Sequence, residues 1–355
     1  MYGLIYLLTI MLIIDNRMIP SRVFPLFWFT VMVCLSLSVR WAMIQSGQAL
    51  GDGDLSAYVL NMGVEGTNSY HIREPVFWFG SRYLYNVIGN PGLVFVVMDI
   101  ILFLTFYKSV GLFQTFFPKH IKFDNVKYLY FGAFLVYPYL TGMHNHYRQI
   151  LAVSFAMCAF GLAEKKTRKA LFVYLISILT HNATILLFPI FLLAKKRNIS
   201  IFLMVLGVPA IIFIFFLPSY FSFFGYDGWY EIARRFSEVG VSDVSSARNQ
   251  IYLYLLLLTT FSIIILEYAS KGRVQYLLIK VLICLVAIYF VSFWIFPNQA
   301  TSRVFFMILT LFYSLIGLYI EVKFKTESLI KLFYFHLALV PLLGLRGDGL
   351  VYDVW

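Results

Sequence analysis

Charge is what this chain has least of. Only 13% of its 355 residues are Asp, Glu, Lys or Arg, and 61% are hydrophobic. An ordinary soluble domain carries about 25% charge and about 45–50% apolar residues, so a soluble protein is excluded. A soluble catalytic domain has no room either. The longest stretches lacking a long apolar run, 45–91 and 219–250, sit near the lower size limit for a domain that folds alone. Cysteine is equally scarce: Cys34, Cys158 and Cys284 stand apart inside apolar runs. Such spacing suggests neither a disulfide framework nor a zinc site, and the three read as small core residues. The formal net charge is +11, but the basic residues punctuate apolar segments and form no continuous patch. Positive-inside loops account for them, and nucleic acid is not an expected partner.

Apolar sequence is what the chain has in excess. A membrane helix needs about 20 apolar residues. Candidate spans are Met1–Ile14, Val23–Ile44, Gly92–Tyr107, Lys127–Leu140, Tyr147–Ala163, Ile199–Leu217, Ile251–Glu267, Val274–Phe296, Val304–Ile320 and Leu329–Leu345. The first has no basic n-region and no small-residue cleavage site before Asp15 and Arg17, so it reads as a span and not as a cleavable signal. Segment 170–194 is different. Polar His181-Asn182 interrupts it, and basic clusters bracket it: Lys165, Lys166, Arg168 and Lys169 before, Lys195, Lys196 and Arg197 after. Two cytoplasmic brackets favour a helical hairpin with His181 near its outer tip, re-entrant if the arms are too short to cross. The alternative is one straight span with a buried polar kink. The expected fold class is therefore all-α: a single integral membrane domain over residues 1–355, polytopic, with about 11–12 transmembrane or re-entrant helices. Two longer outer loops, 45–91 and 219–250, complete it, and both termini face outward.

That topology sorts the cations. Every lysine falls on the cytoplasmic side. The outer side receives Arg40, Arg73, Arg82, Arg148, Arg234, Arg235, Arg248, Arg303 and Arg346, and no lysine. Topology alone treats Lys and Arg alike, whereas arginine offers a permanently charged, rigid donor fork that fits phosphate and carboxylate. The outer face thus reads as an oxyanion-binding surface. The competing reading is that these arginines cap helices or pair with Asp52, Glu74, Glu231 and Glu238. Arg148 and Arg303 each open a span at the outer interface, where a helix N-terminus already favours an anion; simple snorkelling is the alternative. Asp99 lies mid-span, where a carboxylate is costly and often functional, unless it pairs with a neighbouring hydroxyl or arginine.

Other reactive groups also collect outside. Asp52, Asp54, Tyr58, His71, Arg73 and Glu74 fall in the first long loop. His144, His146, Tyr147, Arg148 and Gln149 crowd the entry to one span. His144-x-His146 is weak as a metal signature without a placed third ligand, so no metal is expected. His181 is a polar ring inside an apolar hairpin and needs a reason to be there. Trp78 and Trp229 are candidates for stacking on sugar rings, although aromatics also populate membrane interfaces generally. An outward anion site with no nucleotide-binding loop suggests a lipid-linked phosphate substrate. A glycan on a polyprenyl diphosphate fits: its leaving group needs charge neutralisation, which arginines supply.

Particular residues then carry a resemblance. Tyr147-Arg148-Gln149-Ile150-Leu151-Ala152, a glycine-containing span, the basic run 165–169 and Leu179-Thr180-His181-Asn182-Ala183-Thr184 with Pro189 and Lys195-Lys196 together resemble the EpsG-like, Wzy-type polysaccharide polymerases. Gly51-Asp52-Gly53-Asp54-Leu55-Ser56-Ala57-Tyr58, Arg73-Glu74-Pro75-Val76-Phe77 and Arg303 opening a late span resemble that pattern too. The likeness runs over about residues 40–320; no motif is evident in 219–250.

The resemblance implies polymerisation of undecaprenyl-diphosphate-linked repeat units at the periplasmic face of a bacterial inner membrane. The growing glycan would pass to a sugar hydroxyl on a newly flipped unit, by an inverting displacement through an oxocarbenium-like transition state. On that reading Arg148 and Arg303 hold the diphosphate, with Arg234 or Arg235 assisting. His181 or His71 orients or deprotonates the hydroxyl, and Asp52 or Asp54 could serve instead. Tyr58, Arg73, Glu74, His144, His146, Tyr147 and Gln149 would contact substrate. Lipid-linked donor and acceptor, membrane lipids, a flippase and a chain-length regulator are the implied partners, and no cofactor is expected. Competing readings are a lipid-linked oligosaccharide transporter or flippase, an O-antigen ligase, a glycan O-acyltransferase and a structural membrane subunit.

Overall fold

The computed structural model describes residues 23–48, 54–64, 66, 71–72, 74–112, 147–195, 200, 207, 243–269, 276–295 and scattered positions between 304 and 323. Among the described residues the protein is all-helical, with no strand. The elements are α1 (Phe24–Ser46), α2 (Asp54–Gly63), α3 (Pro75–Ile88), α4 (Pro91–Leu112), α5 (Tyr147–Leu162), α6 (Thr167–Thr180), a 3-10 helix (Asn182–Leu187), α7 (Phe188–Lys195), α8 (Asp243–Ala269) and α9 (Tyr276–Ile295). The candidate spans at 1–14, 127–140, 199–217 and 329–345 lie outside the described residues, apart from Ser200 and Gly207.

Segment 45–91, expected as a loop, is largely helical among its described residues. It holds α2 and α3, because apolar residues recur there at helical spacing and Phe77, Trp78 and Ser81 of α3 are buried. Punctuation is local and chemical. Pro75 opens α3, and Gly89, at φ 72°, closes it with its N–H on Tyr85 O. Asn90 then joins two helices: its Oδ1 accepts from Leu93 N (3.1 Å) and its Nδ2 donates to Ile44 O near the end of α1 (2.8 Å). Gly92 sits where α1 and α4 touch, and a Cβ there would come 2.6 Å from Ile44 N.

α5 is the central element. It packs against α4, α6, α7 and the 3-10 helix, and nearly all its residues from Tyr147 to Gly161 are buried. Around it the outer surfaces stay apolar. Leu26 and Trp41 on α1, Phe172 on α6, and Leu258 and Phe261 on α8 are all exposed, which in water would be an unusual amount of unpaired apolar surface. Phe29–Ser46 is long and apolar enough to cross a membrane, and shorter apolar helices include Tyr147–Leu162, Leu253–Tyr268 and Leu277–Phe293.

The chain over 167–195 is not one straight helix. α6 ends at Thr180, His181 is extended (φ −152°, ψ 115°), and a 3-10 helix follows. Tyr174 then stacks on Phe191 with ring centroids 5.0 Å apart; a straight helix would separate them by about 25 Å. The reversal is held by Tyr174 Oη–H donating to Thr184 O (2.8 Å), Ser177 Oγ–H donating to Ala152 O of α5 (2.7 Å) and Thr184 N–H donating to His181 O (3.1 Å). His181 occupies the bend itself.

Candidate functional site

Three elements that are distant in sequence meet around one carboxylate. Glu74 precedes Pro75 and stands at the N-terminus of α3, but its side chain caps nothing on its own helix. It reaches instead to the start of α5 and to the bend after α6. Glu74 Oε2 pairs with Arg148 Nη1. Its Oε1 lies 2.5 Å from His181 Nδ1 and accepts from Asn182 N–H at 3.4 Å. Glu74 is 3% exposed and Arg148 is 6% exposed, so neither charge is shielded by much water, and each needs the other. Burial alone would raise the Glu74 carboxyl. The charges and hydrogen bonds of His181, with Arg148 and Asn182 N–H, outweigh burial and hold it down at about 2.

Aromatic rings wall the guanidinium. Arg148 Cζ stands over Tyr58 and Trp78 at 5.2 Å each and over Phe77 at 5.9 Å, and Arg148 Nε donates to Tyr58 Oη at 3.3 Å. Tyr58, Phe77 and Trp78 meet edge to face, with centroids 5.1–5.7 Å apart, the arrangement the ring quadrupoles favour. A cation held this way is fixed in orientation before any ligand arrives.

His71 lies on the far side of Trp78, ring centroids 5.1 Å apart. Its Nε2 is 3.0 Å from Asn61 Oδ1, which makes it a donor, and its Nδ1 accepts from Arg82 Nη2 at 3.2 Å. Burial, and then the Arg82 charge, lower the His71 pKa, so the ring is neutral at neutral pH. Arg82 also bonds Asn61 O (2.9 Å) and Gly66 O (2.6 Å). Arg82 of α3 thereby ties Asn61 of α2, Gly66 and His71 together.

A second arginine–carboxylate pair lies between α1 and α4. Arg40 Nε is 3.3 Å from Asp99 Oδ2, which also accepts from Ser36 Oγ at 2.6 Å. Arg40 Cζ faces the rings of Phe95 (4.9 Å) and Tyr147 (5.7 Å). Arg40 therefore belongs to the interior and not to an outer anion-binding surface, and Asp99 meets both a hydroxyl and an arginine through Oδ2.

Of the candidate residues, Tyr58, Glu74, Arg148 and His181 converge, and His71 stands one ring away. Tyr147 packs edge to face on Phe95, centroids 5.4 Å apart, with Phe77 of the cage at 6.4 Å. Gln149 is buried, and its Oε1 has no hydrogen-bond partner among the described residues. Asp54 opens α2, its side chain outside the described set. Asp52, Arg73, His144, His146, Arg234, Arg235 and Arg303 also lie outside it. Phe77 was not foreseen as part of the cage. Its place directly after Glu74-Pro75-Val76, one turn into an amphipathic helix, was the available signal. Among the described residues no three His, Cys, Asp or Glu side chains gather to hold a metal ion.

Residues 47–344 match the EpsG family. The chain belongs to the EpsG family. That match takes in every converging residue named above. No curated protein and no solved structure matches the chain. Membership, with the apolar helices, indicates a membrane protein with a polysaccharide polymerase-like, glycosyltransferase-type role in polysaccharide biosynthesis.

Proposed function

We propose that this EpsG-family protein polymerises undecaprenyl-diphosphate-linked repeat units at the periplasmic face of the bacterial inner membrane. The observation that carries the reading is the buried meeting of Glu74, Arg148 and His181 at a bend between apolar helices. Buried charge of this kind is costly and is kept where chemistry needs it. A glycosyl transfer from a lipid diphosphate asks for two things: positive charge on the leaving group and a place for the acceptor proton. Arg148 and His181 are suited to these roles.

Arg148 is the second residue of α5, so the helix N-terminus adds its own preference for anions. Glu74 offsets part of the Arg148 charge. Arg303, Arg234 and Arg235 accordingly carry the larger share of the diphosphate, and Arg148 sets its position. The acceptor hydroxyl attacks the anomeric carbon from the opposite face, with inversion and without a metal. Polymer growth needs no ATP, because the sugar–diphosphate bond holds the energy.

The test is polymerisation by the full-length protein in lipid vesicles supplied with lipid-linked repeat units. The wild type should convert single repeats to a ladder of longer chains. Arg148→Ala and Arg303→Ala should each lower the rate about 100-fold or more. Full activity in both variants would remove the arginines from the mechanism.

A further inference from the structure

Glu74 touches both the cation and the histidine. Its two oxygens are divided between them, Oε2 to Arg148 Nη1 and Oε1 to His181 Nδ1 at 2.5 Å. An ionised carboxylate can only accept, so the proton in the second contact belongs to Nδ1 of His181. A neutral imidazole protonated on Nδ1 keeps its lone pair on Nε2. Among the described residues no hydrogen bond to His181 Nε2 is seen, and the ring is 12% exposed where Glu74 is 3%. The backbone agrees: the extended residue at 181 and the Asn182 N–H on the same Oε1 fix the ring's base against the carboxylate.

We propose that Glu74 is a positioning residue that holds His181 in its Nδ1–H form, so that Nε2 takes the proton of the acceptor hydroxyl. The substrate in this statement rests on the polymerase reading; the geometry does not. As the hydroxyl oxygen bonds to the anomeric carbon, its O–H bond breaks and the proton moves to Nε2. The anomeric C–O bond breaks, and its electron pair leaves on the diphosphate oxygen. His181 is then a cation, and Glu74 offsets that charge without taking the proton. Glu74 is itself a poor base, since both its oxygens are engaged, and the Arg148 charge with the hydrogen bonds from His181 and Asn182 N–H favours its ionised form. His71 is no substitute, because Asn61 and Arg82 occupy its two nitrogens.

Two measurements separate this from the polymerase reading. The first uses full-length protein carrying 15N-histidine in lipid nanodiscs, with His181 assigned by difference against His181→Gln. Neutral His181 should carry its proton on Nδ1, and Glu74→Ala should shift it toward the Nε2–H form. A wild-type proton on Nε2, or a tautomer indifferent to Glu74→Ala, overturns the proposal. The second is the polymerisation rate. Glu74→Gln and His181→Gln should each lower kcat about 100-fold or more with little change in KM, and Glu74→Asp should recover part of the loss. Unchanged kcat in a folded Glu74→Gln variant, beside an inactive His181→Gln, would remove Glu74. The expected tautomer in a wild type that elongates nothing would uphold the Glu74–His181 arrangement and end the polymerase reading.

Discussion

Among the described residues two arginine–carboxylate pairs are buried, and they differ in what surrounds them. Arg40 and Asp99 lie along the flanks of α1 and α4, are 1% and 0% exposed, and have a serine hydroxyl and two aromatic rings for company. Arg148 and Glu74 lie at helix ends, beside an interrupted helix, and share a partly exposed histidine. The first pair crosses between two continuous helices. The second gathers groups from three separate segments where the backbone has stopped being regular. Identical side-chain chemistry thus does two jobs. Mid-helix it fastens one helix to another; at helix ends, on the proposed mechanism, it presents a proton acceptor and a cation.

The sharpest way to break that contrast is to remove one partner of the fastening pair. Asp99→Ala leaves Arg40 buried without its carboxylate and should cost about 3–5 kcal/mol, read as a large drop in thermal stability in detergent. The double variant Arg40→Met, Asp99→Leu should recover most of it, because a well-packed apolar pair is often as stable as a buried ion pair. Polymerisation per folded molecule should stay close to wild type in the double variant. A folded double variant that elongates nothing would place Arg40 and Asp99 in the chemistry and erase the distinction.

That distinction was only half legible in the amino-acid sequence. Long apolar runs marked α1, α4, α5, α8 and α9, because a span writes its own length in hydropathy. α2 and α3 were hidden: polar residues interrupt their apolar ones, so neither forms a run long enough to read as a span. Arg148, His181, Tyr58 and Glu74 stood out as polar groups beside apolar segments. Their partnership did not, since Glu74 is 74 positions from Arg148 and 107 from His181, and no local pattern encodes such a meeting. Arg40 misled for a related reason. Counting charges near span ends cannot separate a side chain that reaches water from one that turns inward to a carboxylate on another helix.

Acid should act on the helix-end pair through Glu74. Its folded-state pKa lies below the ordinary value, held at about 2 against an unperturbed 4.5. The stabilisation is therefore complete above about pH 4.5 and is lost as the pH falls through about 2. Its size is at most about 3 kcal/mol. Thermal unfolding of wild type and Glu74→Gln, measured side by side from pH 7 downward, should show a gap that holds to about pH 5 and then narrows. A gap that is constant to pH 3 would mean that the carboxylate's charge contributes nothing, and that shape or hydrogen bonding alone sustains the cluster.

The smallest effect concerns the bend that carries His181. Tyr174 Oη–H donates to Thr184 O, and its ring stacks on Phe191. Tyr174→Phe keeps the ring and deletes only the hydrogen bond, leaving a buried carbonyl short of a donor. About 1 kcal/mol of stability should go. Because the bond ties α6 to the 3-10 helix just past His181, the loss falls on the geometry of the bend more than on the helix bundle. Polymerisation should therefore decline several-fold while Arg40–Asp99 and its helices hold. An equal loss of stability with no change in rate would mean that the Ser177 and Thr184 contacts alone keep His181 against Glu74. The stack of Tyr174 on Phe191 would then matter more than the hydroxyl.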